Sequence, residues 1–194
     1  DVAQLTQIGN YTVRGVVDGQ YNVTASVAVI ENYISDPGFE EQGETDQVIA
    51  PWNVEVSTPV DASVVKLNRK PQDVRTGTTD LNWYHGSKNF TFKVSQTITN
   101  MTAGTYRLSA YVMAIRGSEI PHSKLEIFIE TAGGTFTFDY KNLVTGWGTP
   151  ENFYIRGLID NIVIQQGETI KIGIDGAGSP GAWGHLDDWS LVRI

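Results

Sequence analysis

One carboxylate in the sequence occupies a position that suggests a metal ion. In the segment Leu186-Asp-Asp-Trp-Ser-Leu191, Asp187 alternates with Trp189 and Leu191, so a strand would point all three side chains to one face. If that face is the core, an unpaired carboxylate there is costly, and a calcium ion held by oxygen ligands would offset the cost. The alternative is a carboxylate at the rim that caps a turn or a backbone amide.

The opening motif Asn32-Tyr-Ile-Ser-Asp-Pro-Gly-Phe-Glu40 offers further ligands for this site. We expect one structural calcium where the first and last strands meet, with Glu40 and Asp187 as carboxylate ligands and the Gly38 carbonyl as a third. Calcium takes roughly six to eight oxygen ligands, so other backbone carbonyls would have to come from loops.

Five Trp residues in an acidic chain without cysteine indicate a second kind of site. Trp83, Trp147 and Trp183 lie in Gly-flanked or turn-like contexts, where an indole is difficult to bury. An exposed indole accepts the C–H face of a pyranose ring while polar neighbours bind its hydroxyls. The polar candidates near these rings are Asn82, His85, Arg116 and His185. Simple packing is the alternative for each Trp taken singly, and a salt bridge with Glu119 is the alternative for Arg116.

Several other kinds of chemistry are disfavoured by the residue types present. The three histidines, His85, His122 and His185, lack the HxH or HExxH spacing of zinc sites, and the chain has no Cys and no GxSxG motif. The adjacent pairs Glu40-Glu41 and Asp187-Asp188 point to opposite faces of a strand, so neither supplies two carboxylates across a cleft. A net charge of −8 argues against nucleic acid. No apolar stretch approaches the roughly 20 residues that span a bilayer.

The residues that could form these sites lie on, or between, predicted strands. Apolar and polar residues alternate over residues 89–98, 105–115, 125–129, 136–140 and 168–175. No window keeps an apolar stripe with helical spacing, so helices should be short or absent. We predict an all-β fold, a β-sandwich of two antiparallel sheets of jelly-roll or Greek-key type.

Residues 1–30 form a separate unit in this prediction. Two alternating segments flank an Asp18-Gly19-Gln20 turn, which predicts a β-hairpin. A two-stranded hairpin is marginal alone, and this one resembles the last two strands of a bacterial Ig-like domain. We therefore divide the chain into a hairpin tail, 1–30, and a β-sandwich module, 31–194.

Six motifs in the module carry a family resemblance. They are the opening Asn-x-x-x-Asp-Pro-Gly-Phe-Glu, Pro51-Trp52, Leu81-Asn-Trp83, the segment 96–106, Thr145-Gly-Trp147 and the closing Gly181-Ala-Trp-Gly-His-Leu-Asp-Asp188. Together they resemble the family 61 carbohydrate-binding modules attached to bacterial endo-β-1,4-galactanases of glycoside hydrolase family 53. The resemblance covers about residues 32–194, and Asp36 stands where Asn is usual.

This resemblance implies a jelly-roll β-sandwich of the galactose-binding-domain-like type with a structural calcium. It also implies that the module binds β-1,4-galactan without cleaving it. We predict a monomeric, non-catalytic module of a secreted bacterial galactanase, which targets the linked catalytic domain to pectin side chains. The chain does not begin with Met or a leader, so we expect any signal peptide to be removed or upstream. The alternatives are a xylan- or β-glucan-binding module of the same fold, a catalytic jelly-roll lyase or hydrolase, and an adhesion or spacer domain.

The shape of the glycan also bears on the predicted site. In β-1,4-galactan the linked O4 is axial, so the chain curves and offers no long flat ribbon. A short pocket lined by rings at different angles would fit it better than a coplanar row, and loops supply such angles.

Overall fold

The computed structural model describes residues 8–17, 21–57, 62–116, 119–120, 122–148 and 153–194. Along these residues the strands are β1 Gly9–Val17, β2 Tyr21–Val29, β3 Asn53–Val56, β4 Val65–Asn68, β5 Asp80–Tyr84, β6 Phe90–Met101, β7 Gly104–Ala114, β8 His122–Thr131, β9 Gly134–Asp139, β10 Ile155–Ile164, β11 Glu168–Gly178 and β12 Trp183–Arg193. A short 3₁₀ helix, Ala62–Val64, directly precedes β4. Within the described ranges, no helix is long and apolar enough to cross a membrane.

Ten of these strands form two five-stranded antiparallel sheets. Sheet I has the order β10-β7-β12-β5-β4, and sheet II has the order β3-β6-β11-β8-β9. Except for the pairs β4–β5 and β8–β9, neighbouring strands in each sheet are not consecutive in the chain, as is typical when a chain passes repeatedly between two layers. The predicted all-β sandwich of two antiparallel sheets is confirmed.

The core lies between the inner faces of the two sheets and consists of the inward-facing side chains of their strands. In β11, Ile170, Ile172 and Ile174 are at most 1% exposed, because every second side chain points inward. Two aromatic side chains, Trp52 and Trp189, stack in this core with ring centroids 5.6 Å apart. Burial of these large apolar side chains is the main source of stability in a chain without disulfides.

The start of the module is tied to its last strand. The Asn32 side chain donates from Nδ2 to the Trp189 carbonyl at 3.0 Å and accepts the Leu191 N–H at 2.9 Å through Oδ1. The Tyr33 N–H donates to the Leu191 carbonyl at 3.0 Å. Because these contacts join residues about 160 positions apart, they close the sandwich at one edge.

The predicted N-terminal hairpin is a sheet of its own. β1 pairs antiparallel with β2, from Gly9 opposite Val29 onward, and this sheet joins neither sheet I nor sheet II. The predicted turn, Asp18-Gly19-Gln20, lies outside the described residues. On one side of the hairpin, Val13 and Val27 remain 46% and 38% exposed. The module therefore closes its core without the hairpin.

A chain that starts at Asn32 should fold as the full chain does, since neither large sheet loses a strand. Thermal unfolding followed by circular dichroism should give a cooperative transition at an unchanged midpoint. A chain that starts at Ser35 is the matched comparison. It also lacks Asn32 and Tyr33 and should melt at a lower temperature, because the ties to β12 are gone. Loss of cooperative unfolding in the longer of the two chains would contradict the separation of the hairpin.

A buried histidine supports the inner side of sheet I. The Trp83 indole Nε1 donates to His122 Nε2 at 3.1 Å, and His122 is 4% exposed. An acceptor nitrogen cannot also carry a proton, so this contact requires the neutral imidazole. Burial lowers the pKa of His122 to about 4, because the charged form loses its hydration in the core.

This histidine should make the folded state sensitive to acid. Its folded pKa of about 4 lies below the value of 6.5 for an exposed histidine, so the unfolded chain binds more protons between these limits. The stability that His122 contributes is fully present above pH 6.5 and is lost as the pH falls towards 4. At pH 4.5 the loss from this group should be about 2–3 kcal/mol. Urea unfolding of the wild type and of His122→Gln at both ends of this range should show a smaller loss in the variant, and His85→Gln serves as the control. Equal losses in the wild type and His122→Gln would contradict the assignment.

Candidate functional site

The candidate site begins where β5 and β12 pair in sheet I. The register places Trp183 opposite Tyr84 and His185 opposite Asn82. Because strand side chains alternate, these four point to the outer face of the sheet, whereas Trp83 points into the core. The outer face here therefore carries two aromatic rings and two hydrogen-bonding side chains in adjacent cross-strand pairs.

A cavity of about 620 Å³ opens over these pairs. It is lined by side chains from β4, β5, β12 and the loops beside them: Ser63, Lys66, Lys70, Asp73, Asn82, Tyr84, His85, Gly86, Trp147, Trp183 and His185. The structure thus brings together Asn82, His85, Trp147, Trp183 and His185 from the predicted carbohydrate-binding set. A neighbouring cavity of about 840 Å³, between β4 and residues 46–54, shares Ser63 and Lys66 with it.

The aromatic rings of the cavity are accessible to a ligand. Tyr84 is 51% exposed and Trp147 is 60% exposed. Trp183 is half-buried and meets the His185 ring edge-on, with centroids 5.9 Å apart and planes at 67°. The loop residue Trp147 is anchored by its indole Nε1, which donates to Asp73 Oδ1 at 2.9 Å. Its polar edge is held by the protein, and its faces are left for a ligand.

A buried polar network lies behind the cavity. His185 Nδ1 lies 2.9 Å from Oδ2 of the fully buried Asp80, and the Tyr154 hydroxyl lies 2.9 Å from the same oxygen. The Tyr154 hydroxyl is also 2.9 Å from the Asp73 carbonyl. Asn82 Nδ2 donates to the Gly184 carbonyl at 3.0 Å and lies 3.3 Å from His185 Nε2. These contacts fix the side chains that face the cavity before any ligand arrives.

His85 is oriented by its own loop. Its Nδ1 accepts the N–H groups of Ser87 and Lys88, at 3.2 and 3.0 Å. With Nδ1 acting as acceptor, the neutral ring carries its proton on Nε2. His85 therefore presents a hydrogen-bond donor of the kind that reads a sugar hydroxyl.

Two residues of the predicted carbohydrate-binding set lie outside the lining of this cavity; the assignment of Trp83 was wrong, and that of Arg116 stays a prediction. Trp83 is fully buried, with its ring 5.1 Å from that of Phe92, so it cannot stack on a sugar. As the strand neighbour of Asn82, it necessarily faces the opposite side. Arg116 lies outside the lining of the cavity, donates from Nε to the Thr145 carbonyl and reaches Glu119 at 3.9 Å. It supports the loop that carries Trp147.

Sequence reasoning also missed residues that line the cavity. Tyr84 shares strand parity with Asn82, and this signal was available in the sequence. Lys66 lies opposite Asn82 in the β4–β5 pairing, which no local motif indicates. Asp73 comes from the segment after β4 and carries no motif at all.

Of the three predicted calcium ligands, Gly38 lies next to both Asp187 and Glu40. A Cβ atom on Gly38 would lie 3.5 Å from Asp187 Oδ1 and 3.8 Å from Glu40 Cγ. Asp187 is fully buried, and burial raises the pKa of its carboxyl group to about 8. Among the described residues, no group of three or more His, Cys, Asp or Glu side chains is arranged to hold a metal ion. An oxygen-rich calcium site would therefore depend on backbone carbonyls as well.

Both carboxylates accept hydrogen bonds from the segment 75–79. Asp187 Oδ2 accepts the N–H groups of Arg75 and Thr76, at 3.2 and 3.0 Å. Glu40 Oε1 accepts those of Thr78 and Thr79, at 2.9 and 3.0 Å. Each carboxylate thus caps backbone amides in the way that the alternative interpretation of Asp187 describes.

Comparison with known proteins bears on the fold. No family model and no curated protein matches this chain. Among solved structures, TmCBM61 in complex with β-1,4-galactotriose matches with a TM-score of 0.64 and 24% identity, over 84% of this chain and 99% of that one.

Two other solved structures match at lower identity. One is from a study of the promiscuous specificity of carbohydrate-binding modules of the β-sandwich superfamily, with a TM-score of 0.55 and 13% identity over 98% of this chain and 77% of that chain. The other is the enzymatically active domain of tailspike protein 4 from bacteriophage CBA120, with a TM-score of 0.56 and 11% identity over 84% of this chain and 21% of that chain. The predicted resemblance to family 61 carbohydrate-binding modules is thus confirmed at the level of the fold.

Proposed function

We propose that this chain is a non-catalytic carbohydrate-binding module whose cavity on sheet I binds a short stretch of β-1,4-galactan. The observation that carries the proposal is the group of three rings, Tyr84, Trp147 and Trp183, around one cavity with Asn82, His85 and His185. The volume of the cavity falls within the range of roughly 300–1,000 Å³ that is typical of small-molecule sites. Rings provide stacking area, and the fixed polar groups select hydroxyl positions.

Galactan is favoured over flatter glycans by the arrangement of the rings. Tyr84 and Trp183 project from paired strands, whereas Trp147 comes from a separate loop, so the three rings do not belong to one strand face. A curved chain with axial O4 linkages fits such a pocket better than the extended ribbon of a xylan or β-glucan. The similar fold of TmCBM61, solved with β-1,4-galactotriose, supports this choice.

Binding is favoured over catalysis because the nearby carboxylates already have partners. Asp73 Oδ1 holds the Trp147 indole, and Asp80 is fully buried against His185 and Tyr154. Glycoside hydrolysis needs two carboxyl groups facing each other across the scissile bond. Neither of these two is placed for that role.

Replacing Trp147 by Ala should weaken galactotriose binding by about 1–2 kcal/mol, because one stacking surface is lost. The fold should be unaffected, since the ring is 60% exposed. Calorimetry gives the affinity, and circular dichroism reports the fold. Phe136→Ala is the matched control, because Phe136 is 39% exposed on β9, away from the cavity. Unchanged affinity in a folded Trp147→Ala protein would contradict the site.

We further propose that a structural calcium binds at Glu40, Asp187 and the Gly38 carbonyl. The support is the convergence of these residues and the cost of burying an ionised Asp187, which a cation would offset. Asp187 Oδ1 accepts one hydrogen bond, from the Asp188 N–H, and Glu40 Oε2 accepts one, from the Thr78 hydroxyl, so each of these two oxygens retains a lone pair for a metal ion. The ion would stabilise the junction of residues 38–40, 75–79 and β12.

Calcium should raise the melting temperature by about 5–10 °C at 100 times its dissociation constant, and EDTA should reverse the shift. Glu40→Gln should abolish most of the shift, because one carboxylate ligand is lost. Glu41→Gln is the matched control, as its carboxylate is exposed and adjacent in sequence. An equal melting temperature in calcium and in EDTA would show that the amide caps alone satisfy Asp187.

We also propose that the module is monomeric and belongs to a secreted bacterial endo-β-1,4-galactanase. In this arrangement the hairpin β1–β2 completes a preceding Ig-like domain. The separate sheet that the hairpin forms, with Val13 and Val27 partly exposed, supports this division. The linked catalytic domain would act on pectin side chains to which the module holds it.

A further inference from the structure

Two lysines line the cavity beside its aromatic rings. Lys66 lies on β4 opposite Asn82, so its side chain shares the outer face with Asn82. Lys70 follows the end of β4, and both lysines are exposed. Lys66 also lines the neighbouring cavity, so it stands where the two cavities meet.

Neither ammonium group has an acidic partner in the part of the chain that the structure describes. Across the described ranges, no Asp or Glu oxygen lies within salt-bridge distance of Lys66 or Lys70. Most other cations of the module are paired: Arg69, Arg75, Lys93, Arg107, Arg116, Lys124, Lys141 and Lys171. In a chain with 22 acidic and 14 basic residues, two cations in one cavity without a salt-bridge partner among the described residues favour an anionic ligand.

One carboxylate, Asp73, lines the same cavity, and it forms no salt bridge with either lysine. Asp73 Oδ1 accepts from the Trp147 indole, and Asp80 is fully buried against His185. The net charge of −8 would repel an anion at long range. Charges more than about 8 Å apart are largely screened at physiological ionic strength, so the lysines in the cavity dominate close contact.

We propose that the cavity prefers an acidic saccharide, in which a carboxylate or sulfate ester at C6 of one sugar contacts Lys66 and Lys70. The inference rests on the proposed saccharide binding at this site. C6 projects from the edge of a pyranose ring, so a sugar stacked by its face leaves this group free to meet the side wall. A lysine is suited to such a contact, because its flexible stem carries a compact charge without requiring a fixed geometry.

The test uses β-1,4-galactotriose and two sets of acidic derivatives. In one set a single C6 carries a carboxylate, which gives three positional isomers, and in the other set a single C6 carries a sulfate ester. Calorimetry on the full chain should show at least one acidic isomer binding about three- to tenfold more tightly than galactotriose. The preference should shrink when the ionic strength is raised to about 0.5 M. The two sets of isomers show whether the anionic group is a carboxylate or a sulfate.

Lys66→Gln and Lys70→Gln should each reduce the ratio of acidic to neutral affinity, and the double variant should bring it close to one. Lys171→Gln is the matched control. It changes the net charge equally on sheet II, where Lys171 pairs with Glu55, and should keep the ratio of the wild type. If galactotriose binds and no acidic isomer binds more tightly, the inference is wrong and the proposed function stands. If no member of the set binds, both are wrong.

Discussion

The antiparallel register between β5 and β12 is the constraint on which both the core and the candidate site depend. It sets Leu81 against Leu186 on the inner face and Asn82 against His185 on the outer face. Gly184 lies opposite Trp83, and a Cβ atom there would come within 2.1 Å of the indole. A slip of one residue in β5 would move Trp83 to the cavity face, and a slip of one residue in β12 would move His185 into the core, so one register serves both layers.

Behind this register, a set of buried polar side chains gives the cavity its shape. Asp80 connects His185 on β12 with Tyr154, and Tyr154 in turn reaches the backbone of Asp73, whose side chain holds Trp147. Removal of Asp80, His185 or Tyr154 would leave another buried polar group without a partner, which is costly. The loop tryptophan and the strand histidine are thus held by one continuous network.

Much of the fold could be predicted from the sequence, because alternation with period two persists along most of each long strand. A β-bulge between Asp187 and Ser190 interrupts it in β12, so Asp187 lies on the opposite face from Leu191, and their predicted shared face was wrong. The candidate site was predicted in part, and the errors have a physical cause. Asn82 and Trp83 were both assigned to the sugar, although neighbours on a strand face opposite ways. The same rule predicts opposite faces for the neighbours Asp187 and Asp188. Tyr84, which shares parity with Asn82, is the residue that this rule selects.

Other parts of the site could not be read from local sequence. The partners in the buried network are separated by 105 residues for Asp80 and His185 and by 74 for Trp147 and Asp73. Only the packed sandwich shows that these groups meet. The calcium prediction located three residues at one place, yet amide hydrogen bonds to the segment 75–79 do not appear in any motif.

The closure of the module by Asn32 and Tyr33 on β12 also determines how it carries mechanical load. A chain anchored to a polymer through the cavity and pulled at residue 31 would transmit tension first into the few bonds from Asn32 and Tyr33 to Trp189 and Leu191. The outward-facing pairs of β5 and β12 lie further along the same strand, beyond that junction. Tension would therefore detach residues 32–33 from β12 before it deformed the aromatic lining of the cavity. The module would remain bound to the polymer under load.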